Sequence, residues 1–260
     1  MTAWKPGGHP IPAKRSQVAR QPISYGRRWR PIAALLCLLV VAGGWYLTRD
    51  RGPDLQQVAN LDAPGDLVVF FGDSITQGYG VREGDSFASL AARELGVAFV
   101  NAGVSGDTMS AGLARMDRDV LPHRPRLTVV EFGGNDFLRR VPVEETLQNL
   151  DAIVSRMIAQ GGMVVILEVN VGLMGDPYLK GYRAIAGRHG AVLVEDIMRG
   201  ILGSPDLKLD GIHPNAQGHR LIAERVIRVL RPLLREADRR RGSQGKTASD
   251  FPLPEIRPVG

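Results

Sequence analysis

Four short stretches of this 260-residue chain hold side chains suited to attack on a carbonyl carbon. In Gly72-Asp73-Ser74-Ile75-Thr76, a serine at a tight strand-to-helix turn can present its hydroxyl at a sheet edge, with its own N–H aimed into the same space. The same Ser74 would also serve as an ordinary helix cap. In Asn101-Ala102-Gly103-Val104-Ser105-Gly106-Asp107-Thr108, the glycines permit a bend with an outward N–H. In Gly133-Gly134-Asn135-Asp136, a side-chain amide stands beside a glycine bend. Read singly, each of these is also a common turn composition. In Asp210-Gly211-Ile212-His213-Pro214-Asn215, the acid three residues before the histidine can fold back within one turn. It would then fix the imidazole tautomer through one ring nitrogen and leave the other free as a base. The bland alternative is a helix-initiating turn with Pro214 at its start.

Those residue types matter together. An alcohol is a poor nucleophile near neutral pH until a positioned base takes its proton, and a tetrahedral oxyanion needs preorganised donors. Other histidines are weaker candidates: His9 lies in the amino-terminal arm, His123 among prolines and arginines, and His189 behind a helix. His219 follows His213 by six residues, which matches no common metal-ligand spacing. The single cysteine, Cys37, lies in an apolar run, so no disulfide, CxxC pair or cysteine metal site is available. No metal and no cofactor are expected. Thr76 stands where a GxSxG elbow needs its second glycine, and no GxGxxG follows the first strand.

The elements that must position these loops are short apolar runs alternating with helical periods. Runs at Leu67 to Phe71, Ala98 to Val100, Leu127 to Phe132, Met163 to Glu168 and Ala191 to Val194 predict five buried strands. Helical spacing appears at Phe87 to Leu95, Val143 to Gln160, Tyr178 to His189 and Asn215 to Leu234. This alternation predicts an α/β fold with a five-stranded parallel sheet covered on both faces. Reactive groups in such sheets collect at the carboxyl ends of the strands, where the candidate loops fall.

Charge and composition set the remaining organisation. The net charge is +6, but residues 1 to 51 carry nine Lys and Arg against one acid, leaving −2 on the rest. A slightly acidic body has no footprint for a phosphate backbone, so nucleic acid is not an expected partner. Residues 1–30, rich in Pro, Gly and Arg, read as a basic disordered arm. Residues 31–48 read as a membrane anchor or as the apolar core of a cleaved signal: Pro31 to Leu47 is uncharged and nearly all apolar, with Trp29, Trp45 and Tyr46 at its ends. A buried core helix is the third reading. Seven positive charges precede the span, which would place the body beyond it in the periplasm or another extracytoplasmic space. Residues 49–65 read as a linker, 66–235 as the folded domain, and 236–260 as a disordered tail.

Taken together, Ser74 in GDSIT, Gly106 in SGDT, Asn135 in GGND and His213 in DGIHPN resemble, in order and spacing, the SGNH or GDSL hydrolase superfamily. The wording SGDTMSAGLARM and EFGGNDFLRR is most similar to its bacterial periplasmic acyl-thioesterase, arylesterase and lysophospholipase group. The resemblance spans roughly Asp66 to Arg235. It implies a flavodoxin-like three-layer α/β/α sandwich with Ser74 as nucleophile, His213 as general base and Asp210 as its orienting acid. It also implies an oxyanion hole from the N–H groups of Ser74 and Gly106 and the Asn135 amide. The substrate it implies is a small-molecule or lipid acyl ester or thioester. A carbohydrate or cell-envelope deacetylase, and a catalytically silent binding module, are the alternatives.

Overall fold

The computed structural model describes residues 54–170 and 176–249, together with Thr2. The basic arm and the apolar span over 31–48 lie outside the described residues. Among the described residues, no helix is long and apolar enough to cross a membrane.

Five strands form one parallel sheet: β1 (Val68–Gly72), β2 (Phe99–Gly103), β3 (Leu127–Phe132), β4 (Met163–Glu168) and β5 (Val192–Val194), in the order β2-β1-β3-β4-β5. This is the doubly wound order in which the chain steps from β1 outward in both directions. The α-helices among the described residues are α1 (Ser74–Gln77), α2 (Phe87–Leu95), α3 (Met109–Asp119), α4 (Gly134–Leu138), α5 (Val143–Ala159), α6 (Asp176–His189) and α7 (Ala216–Ser249). The side-chain alternation of the strands divides the core in two. Val68, Phe70, Val129 and Val165 pack with Ala88, Ala91, Ile222, Val226 and Leu230 of α2 and α7. Val69, Phe71, Val130 and Ile166 pack on the other face with Met109, Met116, Ile153 and Tyr182 of α3, α5 and α6. Helices therefore cover both faces, as the strand runs predict. Strand β2 departs from the buried pattern because it is a sheet edge, with Phe99 exposed.

Three expectations change. Helix α3 is additional to the helical periods of the sequence: Thr108 caps it by accepting from the Ala111 N–H, and Met109, Gly112 and Met116 line one buried face. Residues 54–65 are part of the body rather than linker. Leu61 and Ala63 are buried there, and the Asn60 amide donates to the carbonyls of Ile158 and Gly162 at 2.8 and 3.0 Å. The tail expected from Glu236 is helical through Ser249, because α7 continues past Leu234. Ala237 is buried, Glu236 pairs with Arg239 and Arg240 one turn on, and Arg241 donates to the Gly65 carbonyl at 2.6 Å. Residues 250–260 lie outside the described residues.

Candidate active site

Each candidate loop leaves the carboxyl end of its strand. The chain turns out of β1 at Gly72, and Asp73, not Ser74, caps α1 by accepting from the Ile75 N–H at 3.0 Å. Ser74 is thus the first helical residue, so its N–H is among those with no partner inside the helix. The isolated cap reading of Ser74 is corrected, and its hydroxyl is left for other work. Gly72 has no room for a side chain, since a Cβ would collide with the Thr76 hydroxyl and the Glu131 carbonyl.

Ser74 Oγ lies 3.1 Å from His213 Nε2, and His213 Nδ1 lies 2.7 Å from Asp210 Oδ2. Asp210 Oδ1 accepts from the N–H groups of His213 and Ile212 at 2.8 and 2.9 Å. These backbone donors first, and the ring second, hold the Asp210 carboxyl down at about 2. An ionised Asp210 at Nδ1 makes that nitrogen the N–H and turns the Nε2 lone pair toward Ser74. The turn is clamped by an isolated bridge between Lys208 and Pro214 and by a Leu209 N–H to His213 carbonyl bond of 2.9 Å. Pro214 does not start the helix: Asn215 precedes α7 and accepts from the N–H groups of Gln217 and Gly218. The Tyr79 ring lies 4.6 Å from the His213 ring, centre to centre, with half its surface exposed.

The loops that leave β2 and β3 bring Gly106 and Asn135 to the same end of the sheet. Gly106 is in the left-handed region at φ +84°, and its carbonyl accepts from Arg139 at 2.7 Å. Asn135, in α4, donates from Nδ2 to Asp73 Oδ2 and to the Asp107 carbonyl, each at 3.0 Å. Gly133 takes φ +111°, and a Cβ there would meet the Tyr182 hydroxyl, which donates to the Phe132 carbonyl at 3.0 Å. Arg115 ties this edge together from beneath. Its guanidinium donates to Asp107 at 2.5 Å and to the Gly72 carbonyl at 2.9 Å, and it lies over the Phe71 ring.

All five sequence candidates, Ser74, Gly106, Asn135, Asp210 and His213, therefore meet at one edge of the sheet. The cleft beside Ser74 is lined by Leu138, Val169, Met198, Leu202 and Ile212. Leu138 walls it from the exposed side, whereas its neighbour Phe137 is partly buried and packs against the core instead. The loop from Gly172 to Asp176 contributes no described side chain. His219 is buried away from this site, with Nδ1 accepting from the Phe87 N–H at 3.2 Å, and among the described residues no acid and histidine cluster could hold a metal. Residue types alone missed Asp73, Glu131, Arg115 and Tyr79.

The profile of the GDSL-like Lipase/Acylhydrolase family matches residues 70–221, which contain four strands, the Ser74 turn and the His213 turn. The chain belongs to this family. As a GDSL-like acylhydrolase it is a carboxylic ester hydrolase. It is 31% identical over 183 residues to Esterase TesA of Pseudomonas aeruginosa, covering 66% of this chain and 91% of the relative. Thioesterase 1/protease 1/lysophospholipase L1 of Escherichia coli is 30% identical over 180 residues, covering 66% and 86%. A crystal structure of TesA superposes with a TM-score of 0.61 at 30% identity, over 65% of this chain and 99% of the other.

Proposed function

We propose that this acylhydrolase cleaves carboxylic esters and thioesters of aryl, acyl-thiol or lysophospholipid type through an acyl-serine on Ser74. The observation that carries the reading is the Asp210–His213–Ser74 relay, at 2.7 and 3.1 Å. His213 Nε2 takes the Ser74 proton as Oγ bonds to the carbonyl carbon. The oxyanion settles against the N–H groups of Ser74 and Gly106 and the Asn135 amide. Collapse expels the alcohol or thiol, which leaves with the proton from Nε2. Water then gives its proton to Nε2 while its oxygen attacks the acyl carbon, and Ser74 Oγ departs with that proton. Asp210 stays ionised and stabilises the imidazolium.

The apolar lining of the cleft supports a chain longer than acetate. A panel of p-nitrophenyl esters and acyl thioesters of graded length is the direct test, with Ser74→Ala as control. Medium chains should be accepted, and Ser74→Ala should abolish turnover and fluorophosphonate labelling. A sharp fall beyond acetate would replace this reading with deacetylation, and normal rates in Ser74→Ala would remove the nucleophile.

We further propose that residues 31–48 tether the chain to the inner membrane with the hydrolase body outside the cytoplasm. The supporting features are the uncharged run from Pro31 to Leu47 and the seven positive charges before it. Cell fractionation probed with an antibody against residues 1–30 should find the full chain in the membrane. A soluble chain lacking that epitope would mean cleavage instead.

A further inference from the structure

Two acids lie under the nucleophile turn, and the steps above use neither. Glu131, on β3, pairs in register with Gly72 of β1 and is completely buried. Its Oε2 accepts from the Thr76 N–H at 3.1 Å and from the Thr76 hydroxyl at 2.6 Å. Its Oε1 makes no hydrogen bond of full geometry among the described residues, although the Asp73 N–H lies against the carboxyl. A buried carboxylate oxygen without a donor is costly, but the same oxygen carrying a proton becomes a donor itself and needs only an acceptor. Asp73 is that acceptor, for its carboxyl lies within hydrogen-bonding reach of Glu131. Both Asp73 oxygens already accept, Oδ1 from Ile75 and Oδ2 from Asn135, so Asp73 is the ionised partner and Glu131 the proton carrier.

We infer that protonated Glu131 is a positioning residue for the oxyanion hole: it donates to Asp73, whose carboxylate fixes the Asn135 amide, while its second oxygen holds the Thr76 end of the Ser74 turn. The inference rests on the acyl-transfer reading above. Burial pushes both acids upward, Asp73 to about 6 and Glu131 well above its ordinary value. The other titratable groups that interact with the pair are His213, beside Ser74, and Tyr182, on the Phe132 carbonyl; Arg115 reaches the carbonyl of Gly72, the register partner of Glu131. The chain of bonds decides which amide hydrogen the oxyanion takes. A bond to a carboxylate is stronger than one to a neutral carbonyl, so Asn135 keeps its hold on Asp73 and releases the Asp107 carbonyl.

The isosteres of the two acids should therefore behave differently. Glu131→Gln keeps an acceptor for Thr76 and supplies an N–H to Asp73, so it should rescue kcat to within about threefold of the unsubstituted enzyme. Glu131→Ala and Asp73→Asn should lower kcat about tenfold to a hundredfold with KM little changed, as a misaimed donor does. In Asp73→Asn the new amide must point a donor at Ile75 or at Asn135. Infrared difference spectra near neutral pH should show the carbonyl stretch of a neutral carboxylic acid in the unsubstituted protein and lose it in Glu131→Gln. Equal losses for Glu131→Gln and Glu131→Ala, an undiminished kcat in Asp73→Asn, or no neutral-acid band would each overturn the inference. If the unsubstituted protein turned over no ester, the functional reading would fall, and the infrared comparison would still decide where the proton sits.

Discussion

At the scale of single residues, the site separates groups that the residue types disclose from groups that only burial discloses. Ser74, Gly106, Asn135, Asp210 and His213 are legible because a hydroxyl, an imidazole with its acid, an amide and a glycine bend are recognisable types at strand ends, and together they match a family pattern. Glu131 was not, because it lies within an apolar strand run where a carboxylate has no obvious use. Its very presence in a buried strand was the available signal, since acids are almost never fully buried without a partner. Asp73 is hidden for a different reason: Ser74 is an equally plausible cap by residue type, and only the backbone shows that Asp73 caps α1 instead. The donor role proposed for Asn135 gives a prediction at this scale. Asn135→Ala should lower kcat about 10²- to 10³-fold while KM changes little, measured by steady-state hydrolysis of a p-nitrophenyl ester. A fall in KM alone would place the amide outside the oxyanion hole.

At the scale of elements, the strands were readable because parallel strands buried on both faces give unbroken apolar runs. Boundaries moved by only a few residues, with β2 running on to Gly103. Helix α3 was hidden because Arg115 takes a place on its buried face, where a helical pattern wants an apolar residue. The continuation of α7 was hidden because an arginine run reads as solvent-exposed tail. In the structure those charges are answered by Glu236, Asp238 and Asp66. Two predictions belong here. Gly72→Ala should destabilise the fold by roughly 1–3 kcal/mol or more in urea unfolding, because the added methyl collides with backbone and with Thr76 between β1 and β3. Asp238→Ala should cost about 1–3 kcal/mol, since it removes the carboxylate 2.7 Å from the buried Arg126 guanidinium, discounted for the exposure of Asp238. An unchanged unfolding midpoint in Asp238→Ala would mean that Arg126 is satisfied without it.

At the scale of the whole molecule, stability should depend on acid through groups of opposite sign. Burial pulls His219 from 6.5 down to about 4, so the unfolded chain takes up this proton first. Its contribution is complete above about pH 6.5 and is lost as pH falls toward 4, by at most about 3 kcal/mol. Asp73, raised to about 6, acts the other way: its contribution is present at low pH and is lost as pH rises through 6. The comparison of the unsubstituted protein with His219→Gln isolates the first term. Their stability difference, from urea unfolding at successive pH values, should shrink between pH 6.5 and 4. A constant gap would show that the imidazole does not titrate as its burial requires. The two ends of the described body also have a practical consequence. Asn60 bonds to carbonyls beside the start of β4, and Arg241 bonds to Gly65 just before β1, so the chain enters and α7 passes at the pole opposite the cleft. Cargo fused ahead of residue 54, or a solid support coupled there, would leave the mouth of the enzyme unobstructed.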